Sequence, residues 1–183
     1  DGALPARTGL AIGEGATFDL GGFQQSVGSL AGAGLITNQG GTASVLTTGG
    51  DDTRALFSGS LVDGTAPLAL VKSGGGTTVL AGASSYTGTT TINSGTLAVA
   101  AGGSLSGAST VNLAGTGTLD ISAAGNQRIG GLAGGAGSTV TLGGATLTTG
   151  GNNASTTFGG TLAGSGGLVQ GGTGTLTLTG TNT

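Results

Sequence analysis

The sequence predicts an all-β chain wound as a right-handed parallel β-helix, a β-solenoid of about seven to nine coils that forms part of a longer rod. Three observations point there. The chain duplicates itself at a spacing of about 100 residues, short runs of β-formers alternate with Gly-rich turns, and no capped pattern of helical period occurs.

The duplication fixes the reading as an array. Leu10 to Leu20 faces Val111 to Ile121 at an offset of 101, and Gln25 to Gly32 faces Gln127 to Gly134 at 102. Thr47 to Gly50 and Phe57 to Leu61 return to 101, against Thr148 to Gly151 and Phe158 to Leu162. The last block, Leu70 to Ser85 against Leu168 to Thr183, stands at 98. Stacked repeats absorb such small indels in turns while their strands keep position. The duplicated stretches run from about 10 to 85 and from 111 to 183, within one β-helical unit over 1–183.

Taken in order, the expected strands are Thr17 to Leu20, Ser26 to Leu30, Leu35 to Thr37, Ser44 to Leu46, Ala55 to Phe57, Leu68 to Val71, Thr78 to Leu80, Thr90 to Asn93 and Thr96 to Val99. Gly-Gly, Gly-Ala-Gly or Asp-Gly separates most of them, as tight turns require. The centres Phe18, Val27, Ile36 and Val45 lie nine apart. A sandwich or barrel also uses short strands, but neither needs to repeat its strand sequence. With two or three strands per coil, a coil takes roughly 20 to 27 residues and the repeated unit about four or five coils. At about 4.8 Å per rung the rod is about 35 to 45 Å long. Alternate residues then point inward, so Leu, Val, Ile and Ala fill a narrow interior while Thr and Ser line the outside.

Composition narrows the function classes. Gly and Pro make up 47 of 183 residues, a disorder-like share that the periodicity overrides. Leu, Ile, Val and Phe number 40, enough for a lean core. Only 6% of residues are charged, with a net charge of −3. Arg7, Arg54, Lys72 and Arg128 are too few to neutralise a run of phosphates, which argues against nucleic acid. Cysteine and histidine are absent. Freedom from Cys suits passage unfolded through an oxidising compartment, and equally suits small Gly-rich repeats that have no use for it. No apolar run is long enough for a membrane helix, so direct membrane insertion is not expected. The opening residues lack the pattern of a signal peptide, and the second copy stops one residue short of the position matching Tyr86, as expected of a piece of a longer protein.

The best-preserved phrase runs from Leu70 to Val99, with Leu70, Lys72, Gly74, Gly76, Leu80, Gly82, Tyr86, Gly88, Thr90, Gly95 and Leu97 at its fixed positions. It resembles the passenger-associated transport repeat of bacterial autotransporters, the β-strand repeat of type V secreted surface proteins. Departures are Thr78 and Val79, where that family favours Leu and then a hydroxyl residue, and Ser84, where Asn is usual. The shorter copy restores Leu176, Thr177 and Asn182 but carries Gln170 in place of Lys. The resemblance implies a passenger exported through periplasm and outer membrane to the bacterial surface, with a β-barrel translocator in the same full-length chain. It also implies surface ligands on host or bacterial cells, self-association, and a role for the repeat in export.

Candidate sites are weighed against turns and packing. Asp51 and Asp52 follow Gly49-Gly50, but the second copy has Asn152 and Asn153, so a turn explains them better than a shared metal. Asp19 and Asp120 match between copies, and no partner acid or base is identifiable. No catalytic, cofactor or metal residue is assigned, and no cofactor is expected. Polysaccharide enzymes on β-helices need clustered acids and aromatic platforms. This chain has no Trp and one Tyr, and Tyr86 reads as packing over a turn. Thr175 to Thr179 alternates as in ice-binding ladders, yet no Thr-x-Thr pair is expected at one position in successive coils. The functional expectation is a non-catalytic surface scaffold serving export and cell adhesion or aggregation; the alternative is the inert stem of an extracellular enzyme or toxin active elsewhere in its chain.

Overall fold

A computed structural model describes residues 4–182. Every strand pairing in it is parallel, and no helix occurs among the described residues. The strands fall on three faces of a β-solenoid of eight coils, visited in the order face 1, face 2, face 3. Face 1 is an eight-stranded sheet running from Leu10–Ile12 to Thr161–Gly164, and face 3 another from Gln24–Ser26 to Leu176–Leu178. Face 2 holds two three-stranded sheets, from Thr17–Asp19 to Ser60–Leu61 and from Gln127–Arg128 to Leu168–Gln170. A single Ala83–Ser104 bridge stands between those two sheets. Registers on face 1 put 19 to 25 residues in a coil, from Thr77↔Thr96 to Gly32↔Phe57.

The inward columns form the core. On face 1, Leu30, Leu97, Leu119, Val140 and Leu162 belong to one column, all buried. Face 3 stacks Leu46, Leu70, Thr90, Val111 and Leu132, each with no exposed surface or nearly none. Burial of these branched side chains, at roughly 25 cal/mol per Å² of apolar surface, is the main force that closes each coil on the next.

Two expectations about the strands need correction. The run Ser26 to Leu30 is not one strand: Gln24–Ser26 ends face 3, Leu30–Gly32 begins face 1, and Val27 to Ser29 make the corner. Gly28 permits that corner, because a Cβ there would stand 2.4 Å from the Arg7 carbonyl oxygen of the coil before. Hydroxyl residues also do not keep to the outside. Ser44, Thr48, Thr78, Thr90, Ser109 and Thr149 are all buried, since a thin core needs small residues wherever a corner narrows it. Outside, Thr77, Thr96, Thr118, Thr139 and Thr161 occupy one column through five successive coils of face 1. Thr139 and Thr141 are the one Thr-x-Thr pair on that face, so a single column recurs while the paired pattern does not.

The repeated unit spans fourteen face-to-face steps, four coils and two faces. Leu10–Ile12 lies on face 1 of the first coil, and its match Val111 to Leu113 lies on face 3 of the fifth. Phe57 on face 1 likewise matches Phe158 on face 3, and Leu61 on face 2 matches Leu162 on face 1. The second copy is therefore turned by one face about the rod axis. The contacts survive the turn. The Gln25 side chain accepts from Leu4 N–H (3.1 Å) and donates to Leu4 C=O (3.0 Å), pairing like a peptide group. The Gln127 amide also bonds the coil before it on both sides, accepting from Leu105 N–H (3.1 Å) and donating to Gly103 C=O (3.2 Å), here two residues instead of one.

Candidate functional site

The fixed positions of the repeat gather at one corner and in the interior beside it. Leu68–Lys72 runs along face 3, Ser73 to Gly76 turn the corner, and Thr77–Leu80 follows on face 1. Lys72 points inward in the column Thr48, Lys72, Ile92 and has no exposed surface. An ammonium group there must find acceptors, because burial of an unpaired charge costs several kcal/mol. Lys72 Nζ donates to three carbonyl oxygens, those of Ser73 (2.6 Å), Gly74 (2.9 Å) and Ser94 (3.3 Å). Three donors meet three acceptors, and Ser94 lies at the next corner along the rod. Burial pulls the Lys72 pKa below its ordinary 10.5, against the opposing pull of Asp52 and Asp51.

The corner beneath is built from the paired acids. Asp52 has φ 59° and accepts from Gly75 N–H, while Asp51 accepts from the Thr53 N–H (3.1 Å) and hydroxyl (2.8 Å). Desolvation opposes ionisation of Asp51, but hydrogen bonds from Thr53, the Ser29 side chain and its own backbone amide together hold its carboxyl below the usual range. Asn153 repeats the geometry, with φ 60° and an acceptor bond from Thr173 N–H at 3.0 Å. Asn152 accepts from Ala154 N–H at 3.1 Å. These residues make turns, and no group of three or more metal-ligating side chains forms among the described residues. Asp19 and Asp120 are likewise turn formers. Asp19 accepts from the Gln39 and Gly21 amides, which lower its pKa, and Asp120 accepts from Ser122.

Tyr86 is wholly buried in the core, deeper than packing over a turn, where face 2 lacks a regular strand. Its hydroxyl lies 2.6 Å from Thr90 Oγ1, which lies 2.9 Å from Ser109 Oγ, which donates to Gly88 C=O at 2.7 Å. The carbonyl only accepts, so with the Ser109 proton committed to it, Thr90 donates to Ser109 and Tyr86 donates to Thr90. Burial pushes the Tyr86 pKa up to about 12, against the Thr90 contact. Leu70, Leu80 and Leu97 fill the adjoining interior.

The repeat's glycines are set by close approach. A Cβ on Gly82 would stand 2.0 Å from the Gly59 carbonyl oxygen, and Gly76 and Gly88 rest as tightly on Thr53 and Leu68. Gly74 and Gly95 adopt φ of 68° and 63°. The second copy reproduces these contacts one face round: a Cβ on Gly180 would stand 1.9 Å from the Gly160 oxygen. Gln170 takes the place of Lys72 and donates to Gly174 C=O at 2.8 Å. Asn182 accepts from Leu162 N–H at 3.2 Å, while its counterpart Ser84 leaves a buried hydroxyl without a partner. The sequence signal for an inward Lys72 is that the matching position of the second copy also holds a long donor, Gln170.

A family model described as a passenger-associated transport repeat matches residues 70–99 and 168–183. This is the repeat of autotransporter passengers, and the chain carries it twice, the second copy shorter than the first. No curated protein and no solved structure matches the chain significantly.

Three outcomes test this corner. Lys72→Met strands the three carbonyls and is expected to cost about 1–3 kcal/mol in urea unfolding, with Lys72→Gln recovering part of the loss as Gln170 does. Ser84→Asn is expected to add about 1 kcal/mol by supplying the amide that Asn182 provides in the other copy. Tyr86 ionises near pH 10 in the unfolded chain and at about 12 in the folded one. Between those values the folded state binds more protons, so its contribution to stability is complete below pH 10 and falls by about 1.4 kcal/mol per unit as pH rises to about 12. Lys72, with its folded pKa below 10.5, works the other way only up to that value. The difference between wild type and Tyr86→Phe, measured by denaturant titration across this window, isolates the phenol, and a pH-independent difference contradicts the assignment.

Proposed function

We propose that this stretch of autotransporter passenger is a non-catalytic surface scaffold whose repeat supports export across the outer membrane, and whose outer faces serve cell adhesion or aggregation. The observation that carries this reading is the use made of the repeat's fixed positions: its glycines stack corners, its Leu, Tyr and Thr fill the core, and its Lys caps a corner from within. None of these groups is left facing solvent to act on a substrate. Each finished coil offers the next a complete parallel edge and a seat for its corner, so folding adds one rung at a time on a template. Addition of rungs outside the membrane biases the movement of the remaining chain outward without ATP. The partner in this step is the β-barrel translocator of the full-length chain.

Registers allow a coil-precise test. Leu70 and Thr90 occupy the same position one coil apart, so deletion of residues 70–89 in the full-length protein removes the repeat's Lys72 corner and Tyr86 without shifting any register. Deletion of residues 118–138 removes an ordinary coil in the same way. Surface display is expected to fall several-fold for the first deletion and little for the second; equal display rejects a special role for the repeat. Cells displaying the intact chain are expected to sediment or bind host cells faster than cells lacking it, and display without either gain rejects the adhesive part.

A further inference from the structure

We propose that Asn153 is an acceptor for an N-linked sugar, taken from a donor in which the sugar's C1 is activated by a diphosphate. Asn153-Ala154-Ser155 has the Asn-x-Ser pattern with x other than Pro, and none of Asn38, Asn93, Asn112, Asn126 or Asn152 begins such a triplet. A triplet alone is a weak signal; the structure adds three facts. Residues 151 to 155 are all exposed at the corner between faces 2 and 3. Asn153 Oδ1 accepts from Thr173 N–H at 3.0 Å, which orients the amide because only the oxygen accepts. Nδ2 has no partner among the described residues, whereas Nδ2 of the neighbouring Asn152 is engaged by Thr110 at 2.7 Å.

Transfer forms a bond from Nδ2 to C1 and breaks the bond from C1 to the diphosphate oxygen. One amide proton leaves to base, and the diphosphate departs with its carrier. The Asn153 carbonyl is untouched, so the Thr173 bond that shapes the corner persists in the modified protein. The corresponding corner of the first copy, Asp52-Thr53-Arg54, has no amide and stays bare. The two copies, alike in backbone, thus differ in what they display. This inference is independent of the export reading.

The test is mass spectrometry of the full-length protein collected from the cell surface. The peptide holding Asn153 is expected to carry added sugar mass: one or a few hexoses indicate a nucleotide-linked donor, and a preassembled oligosaccharide a lipid-linked one. Asn153→Asp keeps the turn, since Asp52 adopts the same conformation at φ 59°, and is expected to abolish the added mass. Ser155→Thr is expected to retain it. Unmodified Asn153 in the surface protein, or added mass that persists in Asn153→Asp, overturns the proposal.

Discussion

Backbone resting on backbone at the corners is the constraint on which the rest of this molecule depends. Strands of neighbouring coils are held about 4.8 Å apart by their ladders, and the corners between them must close to the same spacing. At Gly74, Gly76, Gly82 and Gly88 the approach leaves no volume for a Cβ against the preceding carbonyls of Gly49, Thr53, Gly59 and Leu68. Much of the high glycine content follows from this requirement rather than from disorder. So does the thin core, which tight corners leave to be filled mostly by Leu, Val, Ile and small hydroxyl residues, with Phe57, Tyr86 and Phe158 as its largest apolar side chains.

The same constraint explains why the repeat can turn. A unit of four coils and two faces returns each matched segment to a different face, yet Gly180 rests on Gly160 as Gly82 rests on Gly59. The corner contact is made between consecutive coils and is indifferent to which pair of faces it joins. Asp52 and Asn153, one acidic and one neutral, both sit in the left-handed region and both accept from the coil above. What the corner selects is a short side chain with an oxygen acceptor, and charge is incidental to that choice.

The long polar side chains inside the rod find the partners that burial demands, while the short hydroxyls of Thr37, Ser44, Thr48, Ser84 and Thr149 stay without one among the described residues. Lys72 ends at three carbonyls, Tyr86 begins a run of hydroxyls that ends at Gly88, and the Gln25 and Gln127 amides pair where the ladder lacks a strand. These are substitutes for ladder bonds at places where the coil departs from regular strand. The passenger repeat is therefore a packing code for one corner and the turn after it. A code of that kind marks the chain as carrying the passenger-associated transport repeat and leaves its outer faces free to vary.

The sequence by itself determined the class of fold, the presence of two copies and their family. Each of those is written in local spacing: Gly and β-former periodicity, the 101-residue offset, and the collinear run from Leu70 to Leu97. Its weight against a metal at Asp51 and Asp52 also came from local comparison, with Asn152 and Asn153 as the witness. Only the tertiary structure decided that the coil has three faces, that the second copy is turned by one of them, and that Val27 to Ser29 make a corner instead of a strand. It alone sent Lys72 and Tyr86 inward. The physical reason is that orientation at a corner depends on which residue of another coil lies beneath it, about 20 residues away in the chain, and no local period encodes that register.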